Sequence, residues 1–132
     1  MNNEIINAVK RLERAGSENS RATQKLKDAC KQLGEFIEQQ VPHNVRLPRN
    51  YIVKETSNSY YLVKIKNAFA YGEEVEYFGN TITDPYKEPS RLLCLQFAKD
   101  IAEGLLDEIA EFLEKRKEES EEAEKILIAK ID

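Results

Sequence analysis

The spacing of apolar residues changes twice along this 132-residue chain, and that change limits the folds open to it. Both ends repeat apolar residues in alternating steps of four and three, as on one face of a helix. Between them, residues 50–83 alternate with a period of two, as half-buried strands do. Helical ends around a run of short strands are typical of the α+β class. We therefore predict one α+β domain, helical over 1–41, sheet over 50–83 and helical over 89–131.

The N-terminal region carries an apolar stripe on both sides of a polar stretch. Residues 16–20, which lie between the two parts, contain a glycine and several residues that cap helices. One helix with a polar middle fits this spacing, and so do two helices broken near Gly16. We favour the break, because glycine and cap residues cluster there, and we expect Pro42 to end the region. The apolar positions are Ile5, Val9 and Leu12 upstream, and Ala22, Leu26, Ala29, Leu33 and Phe36 downstream.

The central region predicts an antiparallel meander of three or four strands. In the second strand, alternation places Lys64 and Lys66 on the face opposite the apolar residues. The segment 68–72 fits either a strand or a loop. The predicted strands are 51–56, 60–66, 74–77 and a short return strand at 81–83, with tight turns at 57–59 and 79–80.

The C-terminal region predicts a helix longer than one small domain can cover. A helix from residue 89 to about 130 would be roughly 60 Å long at 1.5 Å per residue. It either breaks near 118–120 or packs its far end on another chain. That far end holds large apolar side chains, which are unfavourable in water. We therefore predict a homo-oligomer formed through Ile126, Leu127 and Ile131.

Charge divides the chain into a basic half and an acidic half. Residues 1–66 hold 12 Lys/Arg and 7 Asp/Glu, whereas residues 67–132 hold 8 and 17. On one uninterrupted helix, five carboxylates fall within about 80° of one another, opposite Leu105 and Ile109. They form a line and do not converge on one point, so we predict no metal site. This stripe is either a solvated face or a surface that binds another protein: Asp100, Glu103, Asp107, Glu111 and Glu114.

Basic and aromatic residues alternate through the loop and sheet. Cationic side chains for phosphates and aromatic rings for bases are the two components of single-strand binding surfaces. The simpler interpretation is that the tyrosines build the sheet while the charged residues keep it soluble. The residues of this alternative nucleic-acid face are Arg46, Arg49, Tyr51, Lys54, Tyr60, Lys64 and Lys66.

No motif in the chain names a chemistry. We predict that Cys30 and Cys94 are buried small hydrophobic residues, and that His43, the one histidine, lies in a surface loop. Phosphate-loop, dinucleotide, zinc-pair and nucleophile-elbow patterns are absent from the sequence. We therefore predict no enzyme activity and no cofactor. No apolar run approaches the length of a membrane span, so we predict no membrane partner and a cytoplasmic location.

Together these observations predict a non-enzymatic binding protein that recognises another protein as an adaptor, chaperone or inhibitor and that forms homo-oligomers. The alternative is a nucleic-acid-associated accessory protein that uses the basic and aromatic sheet face.

Overall fold

The computed structural model describes residues 2–55, 59–69, 72–78 and 89–131, and it confirms the α+β class. A long N-terminal helix precedes an antiparallel sheet, and the C-terminal region is helical again. The predicted return strand at 81–83, the turn at 79–80 and most of the turn at 57–59 lie outside the described residues. The elements are α1 (Asn3–Gln40), a 3-10 turn (Pro48–Asn50), β1 (Tyr51–Glu55), β2 (Tyr60–Phe69), β3 (Gly72–Tyr77), α2 (Arg91–Ala102) and α3 (Leu105–Ile131).

Helix α1 is continuous, so the predicted break near Gly16 is wrong. The helix begins at its cap residue Asn2, whose side-chain oxygen accepts a hydrogen bond from the Glu4 amide at 2.7 Å. A single glycine costs a helix only about 1 kcal/mol relative to alanine. The polar residues after Gly16 cap a helix only where the backbone leaves it. Here the helical backbone continues without interruption from the turns before these residues to the turns after them.

The three strands pair in the order β1-β2-β3, both pairs antiparallel. Tyr51 lies opposite Lys64, and Val53 lies opposite Leu62. Because cross-strand partners share a face, these four side chains lie on the helix-covered side of the sheet. The prediction that Lys64 belongs to a solvated face is therefore wrong. Val63, on the other face, is also buried.

The core lies between this face of the sheet and the three helices. Tyr51, Phe78 and Phe97 meet edge to face at its centre, with ring centroids 4.7 to 5.8 Å apart. Edge-to-face packing suits the opposite charges of ring faces and ring edges. From α1 the core receives Cys30 and Ile37, whereas Phe36, predicted to be on the apolar stripe, is 53% exposed.

The C-terminal region is two helices, separated at Glu103 and Gly104. Gly104 has a φ of 107°, which residues with a Cβ rarely adopt, and its amide donates to the Ile101 carbonyl at 3.1 Å. Of the two alternatives for the far end, the break near 118–120 is excluded, since α3 continues to Ile131. The regular apolar spacing continues from Ala102 to Leu105, so the spacing alone does not reveal the break between them.

Each long helix extends well beyond the core. We call residues 3–22 of α1 the N-terminal arm and residues 114–131 of α3 the C-terminal arm. Every residue of these segments is exposed except Ile6, which is half-buried. At 1.5 Å per residue the arms are about 30 Å and about 27 Å long. The C-terminal arm carries the exposed side chains of Ile126, Leu127 and Ile131. Within the described part of the chain, the apolar far end of α3 therefore does not dock on the sheet.

Replacing Gly104 with alanine should lower the free energy of unfolding by about 1–2 kcal/mol, because alanine is strained at a φ of 107°. The matched control is Gly16→Ala, a change in the middle of a helix with no heavy atom within 4 Å of the added Cβ. That change should leave the urea midpoint unchanged or raise it. Urea unfolding followed by circular dichroism measures both. Equal midpoints for the two variants would show that the break does not depend on glycine.

Candidate functional site

Asp100 is the one charged residue buried in the core of the described chain, at 4% exposure. The hydroxyl of Tyr51 donates to its Oδ2 at 2.6 Å, and Lys64 Nζ donates to the same oxygen at 3.2 Å. The amide of Gln96 donates to Oδ1 at 3.1 Å, and Arg49 Nη1 lies 3.4 Å from that atom. The prediction that Asp100 is part of a solvated stripe is therefore wrong. Its carboxylate is fully used inside the protein.

Local geometry explains why these groups meet. Tyr51 and Lys64 are direct cross-strand partners, so both side chains rise from the same point of the sheet. Lys64 Nζ lies 4.3 Å from the centre of the Tyr51 ring and donates to the Arg49 carbonyl at 2.6 Å. Asp100 lies in the last turns of α2 and faces them. The ammonium group is thereby fixed by a carboxylate, a carbonyl and an aromatic face.

Arg49 extends this network to the junction of α2 and α3. Its Nε donates to both carboxylate oxygens of Glu108, at 2.7 and 3.0 Å. Its Nη1 lies 3.4 Å from a carboxylate oxygen of Glu103. Arg49 reaches this position from the 3-10 turn with a φ of 60°, in the left-handed region. One guanidinium group therefore joins the loop before the sheet to both C-terminal helices.

The network sets the protonation of its members. Burial alone would raise the pKa of Asp100, but the hydrogen bonds from Tyr51 and Lys64 together outweigh it. The pKa of Asp100 therefore lies below its ordinary value of 3.8. Burial and the bond to Asp100 raise the pKa of the Tyr51 phenol, so it remains a donor. At neutral pH the arrangement is an ionised carboxylate held by neutral and cationic donors.

The other predicted acidic residues divide between two environments. Glu103 is the residue that ends α2, and it pairs with Arg49. Asp107, Glu111 and Glu114 lie on the exposed surface of α3. In the described ranges of the chain, no ion pair joins these three to another side chain. The acidic surface that remains open to a partner is therefore this shorter row on α3.

The predicted basic and aromatic residues do not form one surface. Arg49, Tyr51 and Lys64 belong to the Asp100 network, and Tyr51 is only 1% exposed. The remaining four lie elsewhere. Lys66 pairs with Glu76 at 3.4 Å, and Arg46 donates a hydrogen bond to Asn50 at 3.3 Å. Lys54 lies half-buried on β1, and the ring of Tyr60 packs on that of His43 with 4.3 Å between ring centroids. A nucleic-acid face would thus lack the ring of Tyr51 and the charge of Lys64.

Cys30 of α1 and Cys94 of α2 are buried where the two helices pack, which confirms the predicted burial. Burial raises the pKa of both thiols, and the two side chains also interact with each other. A buried thiol that stays protonated is a weak nucleophile. Their position is that of small hydrophobic residues in a helix interface.

A shallow apolar groove of about 200 Å³ lies between the end of α1 and the start of α3. Phe36 and Leu106 leave part of their side chains exposed at its surface. The residues that line it are Phe36, Ile37, Gln40, Val41, Leu106, Ile109, Ala110 and Leu113. A second apolar groove of about 230 Å³ continues along α1 against α2 and is lined by residues that include Leu26, Leu33, Phe97 and Ile101.

The acidic row borders the first groove. Asp107, Glu111 and Glu114 each follow a groove residue by one position, so they lie about 100° around α3 from the groove side. The groove thus has an apolar floor and, along one edge, three exposed carboxylates. Spacing alone located the carboxylates. It missed the groove, because Phe36 fitted an ordinary core stripe.

A depression of about 430 Å³ lies between α1 and β2 and is lined by charges of both signs. Lys31, Glu35 and Glu38 line it. Glu38 accepts a hydrogen bond from the Leu62 amide at 2.7 Å, and burial raises its pKa. This carboxylate therefore satisfies a backbone amide of β2.

Comparison of the chain with protein-family models, curated proteins and solved structures finds no match. Across the described ranges, no three His, Cys, Asp or Glu side chains gather as a metal-binding group. In the same residues, the helices lack the length and apolar character that a membrane crossing requires.

Replacing Asp100 with asparagine should lower the free energy of unfolding at pH 7 by about 3 kcal/mol, because the half-buried Lys64 loses its counter-charge. The control, Glu114→Gln on the exposed surface, should change it by less than about 0.5 kcal/mol. The pKa of Asp100 is lowered on folding, so its contribution is present above its ordinary pKa and is lost as pH falls through the folded value. The difference between wild type and Asp100→Asn should therefore shrink below about pH 4. Urea unfolding between pH 7 and pH 2 tests this, and a constant difference would contradict it.

Proposed function

We propose that this chain is a non-enzymatic binding protein that holds an apolar segment of another protein in the groove between α1 and α3. The observation that supports this most is the groove itself, an apolar surface with Phe36 and Leu106 exposed, beside a row of carboxylates that form no ion pair with the residues the structure describes. Apolar surface rimmed by polar residues is typical of protein interaction sites. An adaptor, a chaperone or an inhibitor would each use such a surface.

The shape and charge of the groove favour one kind of segment. A groove between two helices accepts the apolar face of a third helix, whose anchors repeat at three- and four-residue intervals. Along the edge formed by Asp107, Glu111 and Glu114, lysine or arginine side chains of that segment would meet opposite charge. We therefore propose an amphipathic helix with basic flanks as the segment that is bound.

Binding is favoured over catalysis by the way the titratable groups are used. Asp100, Tyr51 and Lys64 face one another inside the core. In the described part of the chain, every buried side-chain nitrogen or oxygen has a hydrogen-bond partner. A fully satisfied buried network rigidifies a fold and leaves no group for a substrate.

Protein recognition is also favoured over nucleic-acid binding. Tyr51, Lys64 and Arg49 are occupied by the network, so they offer neither a ring face nor unpaired charge to a nucleic acid. The side chains that lie open at the groove are apolar, neutral or acidic, and the carboxylates among them repel phosphate.

The test is capture of proteins from an extract of cells that make this chain, on immobilised full-length protein. We expect at least one protein to be recovered by wild type and to be lost with Phe36→Ser. Asp107→Lys with Glu111→Lys should reduce its recovery about tenfold, since like charges would then face the partner. Glu55→Lys, the same kind of change at an exposed position on β1 outside both the groove and the arms, is the matched control and should have no effect.

Two outcomes would overturn the proposal. One is that no captured protein shows this pattern across the variants. The other is that recovery disappears after nuclease treatment of the extract, which would favour the nucleic-acid alternative.

A further inference from the structure

The two arms leave the core in opposite directions. The groove between α1 and α2 joins residues 26–33 to residues 94–101, and the groove between α1 and α3 joins 36–41 to 106–113. Residue numbers rise together on both sides, so α1 runs in the same sense as α2 and α3. The N-terminal arm therefore extends from one end of the molecule, and the C-terminal arm extends from the other.

Both arms carry apolar side chains towards their free ends. Ile5, Val9 and Leu12 are exposed on the N-terminal arm. Four large side chains are exposed on the C-terminal arm, and Ile131, at 82%, is the most exposed of them: Ile126, Leu127, Ile128 and Ile131. Helices that leave apolar residues in water are stabilised by packing against another helix. Neither arm meets the other within one molecule, because they point away from each other.

The arms also carry complementary charge along their middles. The segment 118–124 of the C-terminal arm contains five glutamates and no basic residue. The middle of the N-terminal arm carries three basic side chains, Lys10, Arg11 and Arg14, and one acidic side chain, Glu13. Opposite charges facing each other across a helix pair set partner choice and orientation.

We propose that two copies of this chain form a dimer in which the N-terminal arm of each copy packs antiparallel on the C-terminal arm of the other. A two-fold axis that places the cores side by side puts the oppositely directed arms of the two copies next to each other. Ile126, Leu127 and Ile131 of one copy then meet Ile5 and Val9 of its partner.

The lengths and registers of the arms agree with this arrangement. The arms are about 30 Å and about 27 Å long, so they pair from base to tip. In that register the glutamates of 118–124 lie opposite residues 11–17, next to Arg11 and Arg14. The two arms comprise 38 residues, of which about half would face the partner copy, close to the roughly 20–30 residues a side of stable interfaces.

Exchange of charge between the arms provides the test. In one variant, Lys10, Arg11 and Arg14 are changed to glutamate. In the other, Glu118, Glu121 and Glu122 are changed to lysine. Each variant alone faces like charge at both of its arm pairs, so each should be a monomer at concentrations where wild type has the mass of a dimer. An equimolar mixture restores opposite charge at both pairs and should recover the dimer mass. Sedimentation equilibrium in low salt measures all four samples.

The outcomes separate the alternatives. A wild-type chain that stays monomeric even at about 100 times the concentration of the charge-exchange samples would overturn the proposal. A dimer that survives the change of Lys10, Arg11 and Arg14 would show that the C-terminal arms pair with each other, which would also overturn it. Failure of the mixture to recover the dimer would overturn the antiparallel arrangement. Circular dichroism of each variant shows whether the arms remain helical.

This inference does not depend on the proposed groove function. The altered residues lie on the arms, whereas Phe36, Asp107 and Glu111 lie at the groove. A dimer without groove binding, or groove binding by a monomer, would show which of the two proposals fails.

Discussion

The buried carboxylate of Asp100 constrains how β1, β2 and the two C-terminal helices are placed relative to one another. A charge in a protein core is tolerated only where donors satisfy it, because its desolvation is otherwise too costly. Here the donors come from β1 and β2, through Tyr51 and Lys64, while the carboxylate belongs to α2. Arg49 then links the same cluster to Glu108 at the start of α3. One registration of the strands and one placement of the two helices satisfy all of these groups together.

This use of charge changes what the surface can offer a partner. Some charged residues that the sequence placed on binding surfaces pair with one another inside the fold. Arg49 and Lys64, predicted for a nucleic-acid face, both pair with Asp100, predicted for the acidic stripe. The exposed surface keeps the acidic row beside the groove and the two arms. The charged residues that pair inside the fold are thus different from those that remain exposed beside the groove and on the arms.

The sequence predicted the class of fold because apolar period follows backbone geometry directly: 3.6 residues in a helix and two in a strand. It could not locate Asp100, because the helical wheel assumed one helix from 89 to 131. Asp100 of α2 is buried whereas Asp107 of α3 is exposed, so residues on the two sides of Gly104 do not share a face. Apolar residues continue through the break, and only the φ of Gly104 marks it. At Gly16 the opposite happened: the cap-forming residues predicted a break, but the helix continues through them.

Lys64 and Asp100 form the ion pair at the centre of the network, and a double-mutant cycle measures the coupling between them. Urea unfolding at pH 7 is measured for wild type, Lys64→Met, Asp100→Asn and the double variant. Each single change leaves one charge without its partner, either the buried Asp100 or the half-buried Lys64, whereas the double change removes both charges. We predict a coupling free energy of about 2 kcal/mol, so that the double variant loses far less stability than the sum of the single losses. Additive losses, within about 0.5 kcal/mol, would contradict it.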